Sequence, residues 1–61
     1  MTEQEKKELV LLTIVNNDGV RFGDIMDSVE ITRRELLMAL NHFLQEGSIT
    51  KETIDGITYY F

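Results

Sequence analysis

The run Ile31-Thr32-Arg33-Arg34-Glu35-Leu36-Leu37-Met38-Ala39-Leu40-Asn41-His42-Phe43-Leu44-Gln45-Glu46-Gly47-Ser48-Ile49 decides the fold. Thr32 and Glu35 stand at capping-box spacing. There a threonine hydroxyl accepts from the third helical amide while the glutamate reaches back to the cap. With Leu36 set at zero and 100° per residue, Leu36, Leu37, Leu40, Phe43 and Leu44 fall within about 120° of arc. That spacing predicts an amphipathic helix over 32–46 with these five side chains on its core stripe. Arg34, Met38, Asn41, His42 and Gln45 lie opposite, and Gly47 is the expected left-handed cap.

Downstream, 48–54 and 57–61 are rich in Ile, Thr and Tyr and are joined by Asp55-Gly56, a strong hairpin signal. A two-residue turn pairs Ile54 with Ile57 and sets Ile57, Tyr59 and Phe61 on one face, with Ile49 on the other. A bulged three-residue loop would bring Ile49 to the same face as those three, and both registers fit the sequence.

Upstream, Val20-Arg21-Phe22 reads as a short extended piece, and Gly23-Asp24 starts a brief helix with Ile25, Met26 and Val29 on its apolar side. Ser28-Val29-Glu30-Ile31 is then a turn tied down by burying Val29 and Ile31. A further capping box, Thr2-Glu3-Gln4-Glu5, opens a first helix that should stop at Asn16-Asn17-Asp18-Gly19. The second half of this helix, Leu9, Val10, Leu11, Leu12, Ile14 and Val15, is apolar on every side. A helix of that kind must be covered all round. Either every other element roofs it, or a second copy covers one face. On the second view Leu9, Val10, Leu11 and Ile14 are the expected homodimer interface.

Composition bounds the rest. Residues 1–61 read as a single small domain, and a chain of this size buries only about 60% of the surface its unfolded form exposes. No cysteine is present, so disulfides and thiolate metal sites are excluded; a lone His42 does not make a zinc site, and no metal or cofactor is expected. One histidine, scattered carboxylates and no glycine-rich phosphate loop make an enzyme the least favoured class. No apolar run is long enough to span a bilayer and no signal-peptide pattern opens the chain, which leads to the expectation of a cytoplasmic protein with no membrane partner. The net charge is −5, unevenly spread: residues 1–30 carry −4, residues 31–51 carry +1 and residues 52–61 carry −2.

Helix, short strand, short helix, turn, amphipathic helix and hairpin, in that order, resemble a winged helix-turn-helix domain of the kind found in small prokaryotic, archaeal and phage regulators. The resemblance spans nearly the whole chain. It is carried by Val20-Arg21-Phe22-Gly23-Asp24-Ile25, by Ile31 to Leu40, and by Phe43-Leu44-Gln45-Glu46-Gly47-Ser48-Ile49. It implies an α+β fold of three helices and a C-terminal β-hairpin wing, with 32–46 as the recognition helix. Thr32, Arg33 and Arg34 then occupy the leading turn, Met38, Asn41 and His42 the outward face, and Lys51 the wing, while Arg21 precedes the second helix. Double-stranded DNA is the implied partner and a homodimeric transcription or replication regulator the implied role.

One physical detail stands beside the resemblance. A helix start carries partial positive charge, so each cation there is disfavoured by about 0.3–1 kcal/mol. Arg33 and Arg34 oppose that preference. Either an anionic ligand offsets it, or Asp27, Glu30 or Glu35 does. The fold also serves as an assembly module, so an acidic interaction domain that docks a protein partner and leaves DNA alone is the alternative.

Overall fold

The computed structural model describes residues 2–61. Helix α1 spans Glu3–Val15, strand β1 Val20–Arg21, helix α2 Phe22–Ser28, helix α3 Arg33–Glu46, strand β2 Lys51–Ile54 and strand β3 Ile57–Tyr60. Three helices and a small antiparallel sheet of order β1-β3-β2 make an α+β arrangement consistent with a winged helix.

Both expected capping boxes form. The Thr2 hydroxyl accepts from the Glu5 amide and the Thr32 hydroxyl from the Glu35 amide, at 3.2 and 3.1 Å. Each glutamate carboxylate accepts in return from its threonine amide, at 3.3 and 3.0 Å. Gly47 closes α3 in the left-handed conformation at φ 79°. Helix α2 begins one residue earlier than Gly23-Asp24 suggests. The Asp24 carboxylate accepts from the Arg21 amide at 3.2 Å, which makes Arg21 the cap and draws Phe22 into the helix.

The hairpin takes the two-residue turn. Ile54 pairs with Ile57, Thr53 with Thr58, Glu52 with Tyr59 and Lys51 with Tyr60. Asp55 and Gly56 both have positive φ, 52° and 80°, as a type I′ turn requires. The Thr50 and Phe61 amides each donate to the other residue's carbonyl and extend the ladder by one pair. Val20-Arg21 is more than an extended connector: it adds a third strand, pairing Val20 with Tyr60 and Arg21 with Tyr59.

The core gathers Val10 and Ile14 of α1, Val20, Ile25, Val29, then Leu36, Ala39, Leu40 and Phe43 of α3, and Ile49. Two sequence expectations are corrected here. Val10 and Ile14, assigned to a dimer interface, have no exposed surface because α2 and α3 cover that side of α1. Leu37, assigned to the core stripe, is 46% exposed. The buried residues of α3, Leu36, Ala39, Leu40 and Phe43, centre within about 10° of Leu36 on the wheel, so Leu37, about 100° away, falls outside their arc.

Candidate nucleic-acid interface

The first turn of α3 is fixed from behind. The Glu35 carboxylate, already bound by the Thr32 amide, also accepts from the Lys6 ammonium of α1, at 3.1 Å to Oε2 and 3.3 Å to Oε1. The Thr32 amide, the Lys6 ammonium and the Thr32 hydroxyl together hold the Glu35 carboxyl down at about 2 from an ordinary 4.5. The one acidic side chain in this turn is thereby tied to α1. The sequence placed Glu35 among possible neutralisers of Arg33 and Arg34; its ion-pair partner is instead Lys6, twenty-nine residues away.

Arg33 and Arg34 are exposed and make no ion pair among the described residues. The Arg33 guanidinium lies 5.2 Å from the centre of the Phe22 ring. Stacking of this kind engages the face of the guanidinium and leaves its N–H edges able to donate. Arg34 shares the outward side of α3 with Leu37, Met38, Asn41 and Gln45, all exposed. Met38 is the most exposed large apolar side chain among the described residues, at 65%. Thr32 is exposed too, but its hydroxyl serves as the cap.

The remaining expected site residues are placed differently from one another. His42 is exposed, and its Nε2 lies 2.6 Å from Glu46 Oε1 one turn along the helix. Lys51 is exposed on β2 and has no carboxylate partner among the described residues. Arg21 is already engaged, since Nε donates to Asp24 Oδ2 and Nη2 to Asp24 Oδ1, both at 3.2 Å. The pair raises the Arg21 pKa and lowers that of Asp24. Arg21 is thus spoken for within α2, and the outward cations of the α3 turn are Arg33 and Arg34.

The structure adds what periodicity could not show. The start of α1 lies beside the middle of α3 and forms with it a groove of about 240 Å³, lined by Glu3, Lys6, Lys7, Ile31, Glu35, Met38 and His42. Lys7, like Lys51, has no carboxylate partner among the described residues, and it borders the α3 face beside Met38. Glu3 lines the same groove, so the acidic N-terminal segment is not wholly turned away from α3. Leu37 also belongs to the outward face, beside Gln45, which the wheel already placed there; the apolar character of Leu37 hid it.

No helix among the described residues is long and apolar enough to cross a membrane. No family model matches the chain, and neither does any curated protein or solved structure.

Proposed function

We propose that this chain is a small winged-helix DNA-binding regulator that reads duplex DNA with the outward face of α3. One observation carries the reading. Glu35 is tied to Lys6 and Glu46 lies against His42, while Arg33 and Arg34 have no ion-pair partner among the described residues at a helix end that disfavours cations. Phosphate or a guanine edge supplies the missing counter-charge. In helix-turn-helix proteins the leading residues of the reading helix meet base edges. Arg34 suits a guanine, Asn41 an adenine, and Met38 a thymine methyl, with each good bidentate pair worth about 1–3 kcal/mol of discrimination. Lys51 on the wing is the phosphate contact.

Binding by one copy is weak, because Arg33, Arg34 and Lys51 neutralise at most about three phosphates, for a salt slope near −2.7. Affinity then falls about 40-fold between 50 and 200 mM salt, against about 3–4-fold once both arginines are gone. The test is a fluorescence-anisotropy titration of a random-sequence duplex pool with the native chain and with Arg33→Ala/Arg34→Ala at both salt concentrations. An unchanged slope and affinity in the double variant, or no binding at the lower salt, overturns the proposal.

A second reading has its own support. Leu37 and Met38 are exposed side by side at the centre of the same face, as suits a protein partner. An acidic interaction module of this kind would show no duplex binding at either salt concentration.

A further inference from the structure

The two arginines that open α3 are adjacent in sequence but differ in direction. At 100° per residue, Arg34 lies about 170° from the centre of the buried arc of α3, and Arg33 about 70°. Met38, Asn41 and Gln45 fall within about 40° of Arg34, which therefore stands in the middle of the outward face. Arg33 stands about 100° to one side of that face. It is exposed because it precedes Leu36, where the core stripe begins. There its guanidinium carbon lies 5.2 Å from the centre of the Phe22 ring. Among the described residues, neither a ring nor a carboxylate holds Arg34 in this way. Phe22 opens α2, is half-buried and packs against the core cluster, so the platform under Arg33 is fixed by the fold.

We infer that Phe22 is a positioning residue: its ring holds Arg33 at the flank of the reading face, as the contact to a backbone phosphate, and leaves Arg34 as the arginine that reads a base. This rests on α3 being the helix that enters the duplex. A helix about 10–12 Å across with its side chains fills a major groove about 12 Å wide. Side chains at the centre of the inserted face then meet base edges, and those about 100° to the side meet the sugar-phosphate wall. The stack covers the face of the Arg33 guanidinium and leaves its N–H edge, which donates in plane to two phosphate oxygens. The stack also restricts the rotamers of Arg33 before binding, so less freedom is lost when the phosphate is engaged. Arg34 has no such platform and adjusts to the base it meets. A lysine in place of Arg33 keeps the charge but has no planar fork, so it neither stacks nor binds in the same way.

Two readouts on a random-sequence duplex pool separate these roles: anisotropy titration at about 50 and 200 mM salt, and sequencing of the duplexes each variant retains. Arg33→Ala is expected to weaken binding to all sequences alike, to reduce the salt slope by about 0.9 and to leave base preferences as they are. Arg34→Ala should erase the preference at one base pair, where a good bidentate contact discriminates about 5- to 150-fold. Phe22→Leu keeps every charge. Its salt slope should therefore stay native while affinity falls about 2- to 10-fold, the cost of ordering one freed side chain. Phe22→Tyr keeps the ring and should bind as the native chain does. In the Arg33→Ala background Phe22→Leu should weaken binding no further, an outcome that a merely structural role of the ring would not give. In NMR of the free chain, the Arg33 side-chain protons should be shifted upfield by the ring, and the shift should vanish in Phe22→Leu. Native affinity in Phe22→Leu, an undiminished loss in the Arg33→Ala background, an absent ring shift, or a base preference that follows Arg33 overturns the inference and leaves duplex binding standing. A native chain that binds no duplex at the lower salt overturns the DNA reading itself, and this inference with it.

Discussion

Gly19 joins α1 to β1 at φ +95°, and the Phe61 ring lies over it. A Cβ added at Gly19 would stand 2.9 Å from Phe61 Cε2 and 3.1 Å from Cζ, well inside van der Waals contact. Gly19→Ala therefore meets two separable costs. Holding an L-residue at positive φ costs about 1–2 kcal/mol. Displacing the ring forfeits the burial of a side chain that is about two-thirds covered, roughly a further 1–2 kcal/mol. The sum, about 2–4 kcal/mol, is a large part of the about 3–9 kcal/mol that 61 residues hold at 0.05–0.15 kcal/mol each. It lowers Tm by about 8–30 °C at the 4–8 °C per kcal/mol of a domain this size. A double-mutant cycle with Phe61→Ala, read by urea denaturation and circular dichroism, separates the costs. Without the ring, Gly19→Ala should lose only the backbone share, leaving a coupling of about 1–2 kcal/mol. If Gly19→Ala costs the same with and without Phe61, the ring contact is not what constrains this position. A cost under about 0.5 kcal/mol in the native background would refute the backbone argument as well.

Two further outcomes follow from burial and from the cap of α3. Leu40→Ala, at a fully packed position, should cost about 2–5 kcal/mol, while Leu37→Ala three residues earlier should cost under about 1 kcal/mol; urea midpoints of the two variants compare them directly. Glu35 titrates at about 2 when folded and near 4.5 when unfolded, so the stability it contributes is complete above pH 4.5 and is lost as pH falls through about 2. Glu35→Gln keeps an oxygen acceptor for the Thr32 amide but removes this titration. Its stability should vary less than that of the native chain between pH 4.5 and 2, and carboxyl NMR should find Glu35 the carboxylate still ionised near pH 3. A normal Glu35 titration near 4.5 would contradict the cap and ion-pair geometry.

The sequence was informative where an element is specified by atoms within a few residues of one another. Thr2 with Glu5 and Thr32 with Glu35 cap their helices in the expected way, because each box closes within one turn. Asp55-Gly56 marked the hairpin for the same reason, although two registers fitted the sequence and the two-residue turn with both φ positive is read from the structure. For the candidate site, the exposure of Arg34, Met38, Asn41, His42 and Gln45 was legible from the period of α3. The ionic surroundings were not. Whether Glu35 neutralises an arginine or Lys6 depends on where α1 lies, and Arg21 was given to the reading face before Asp24 could be seen to hold it.

Helix α1 marks the boundary most clearly. The side chains of its second half are apolar nearly all round, so no wheel could say which face is core. Packing against α2 and α3 took Val10 and Ile14 and left Leu9, Leu12 and Val15 outside. In the same way β1 became a strand only because Tyr59 and Tyr60 of β3 came to lie beside it, and Leu37 was lost from the core because the buried arc of α3 reaches from Leu40 to Ala39 and stops short of it. The capping boxes of α1 and α3, the place of the hairpin and the period of α3 are short-range and were determined by the sequence alone. Which apolar face is buried, and which charge meets which, are set by the relative placement of elements, and the tertiary structure decided both.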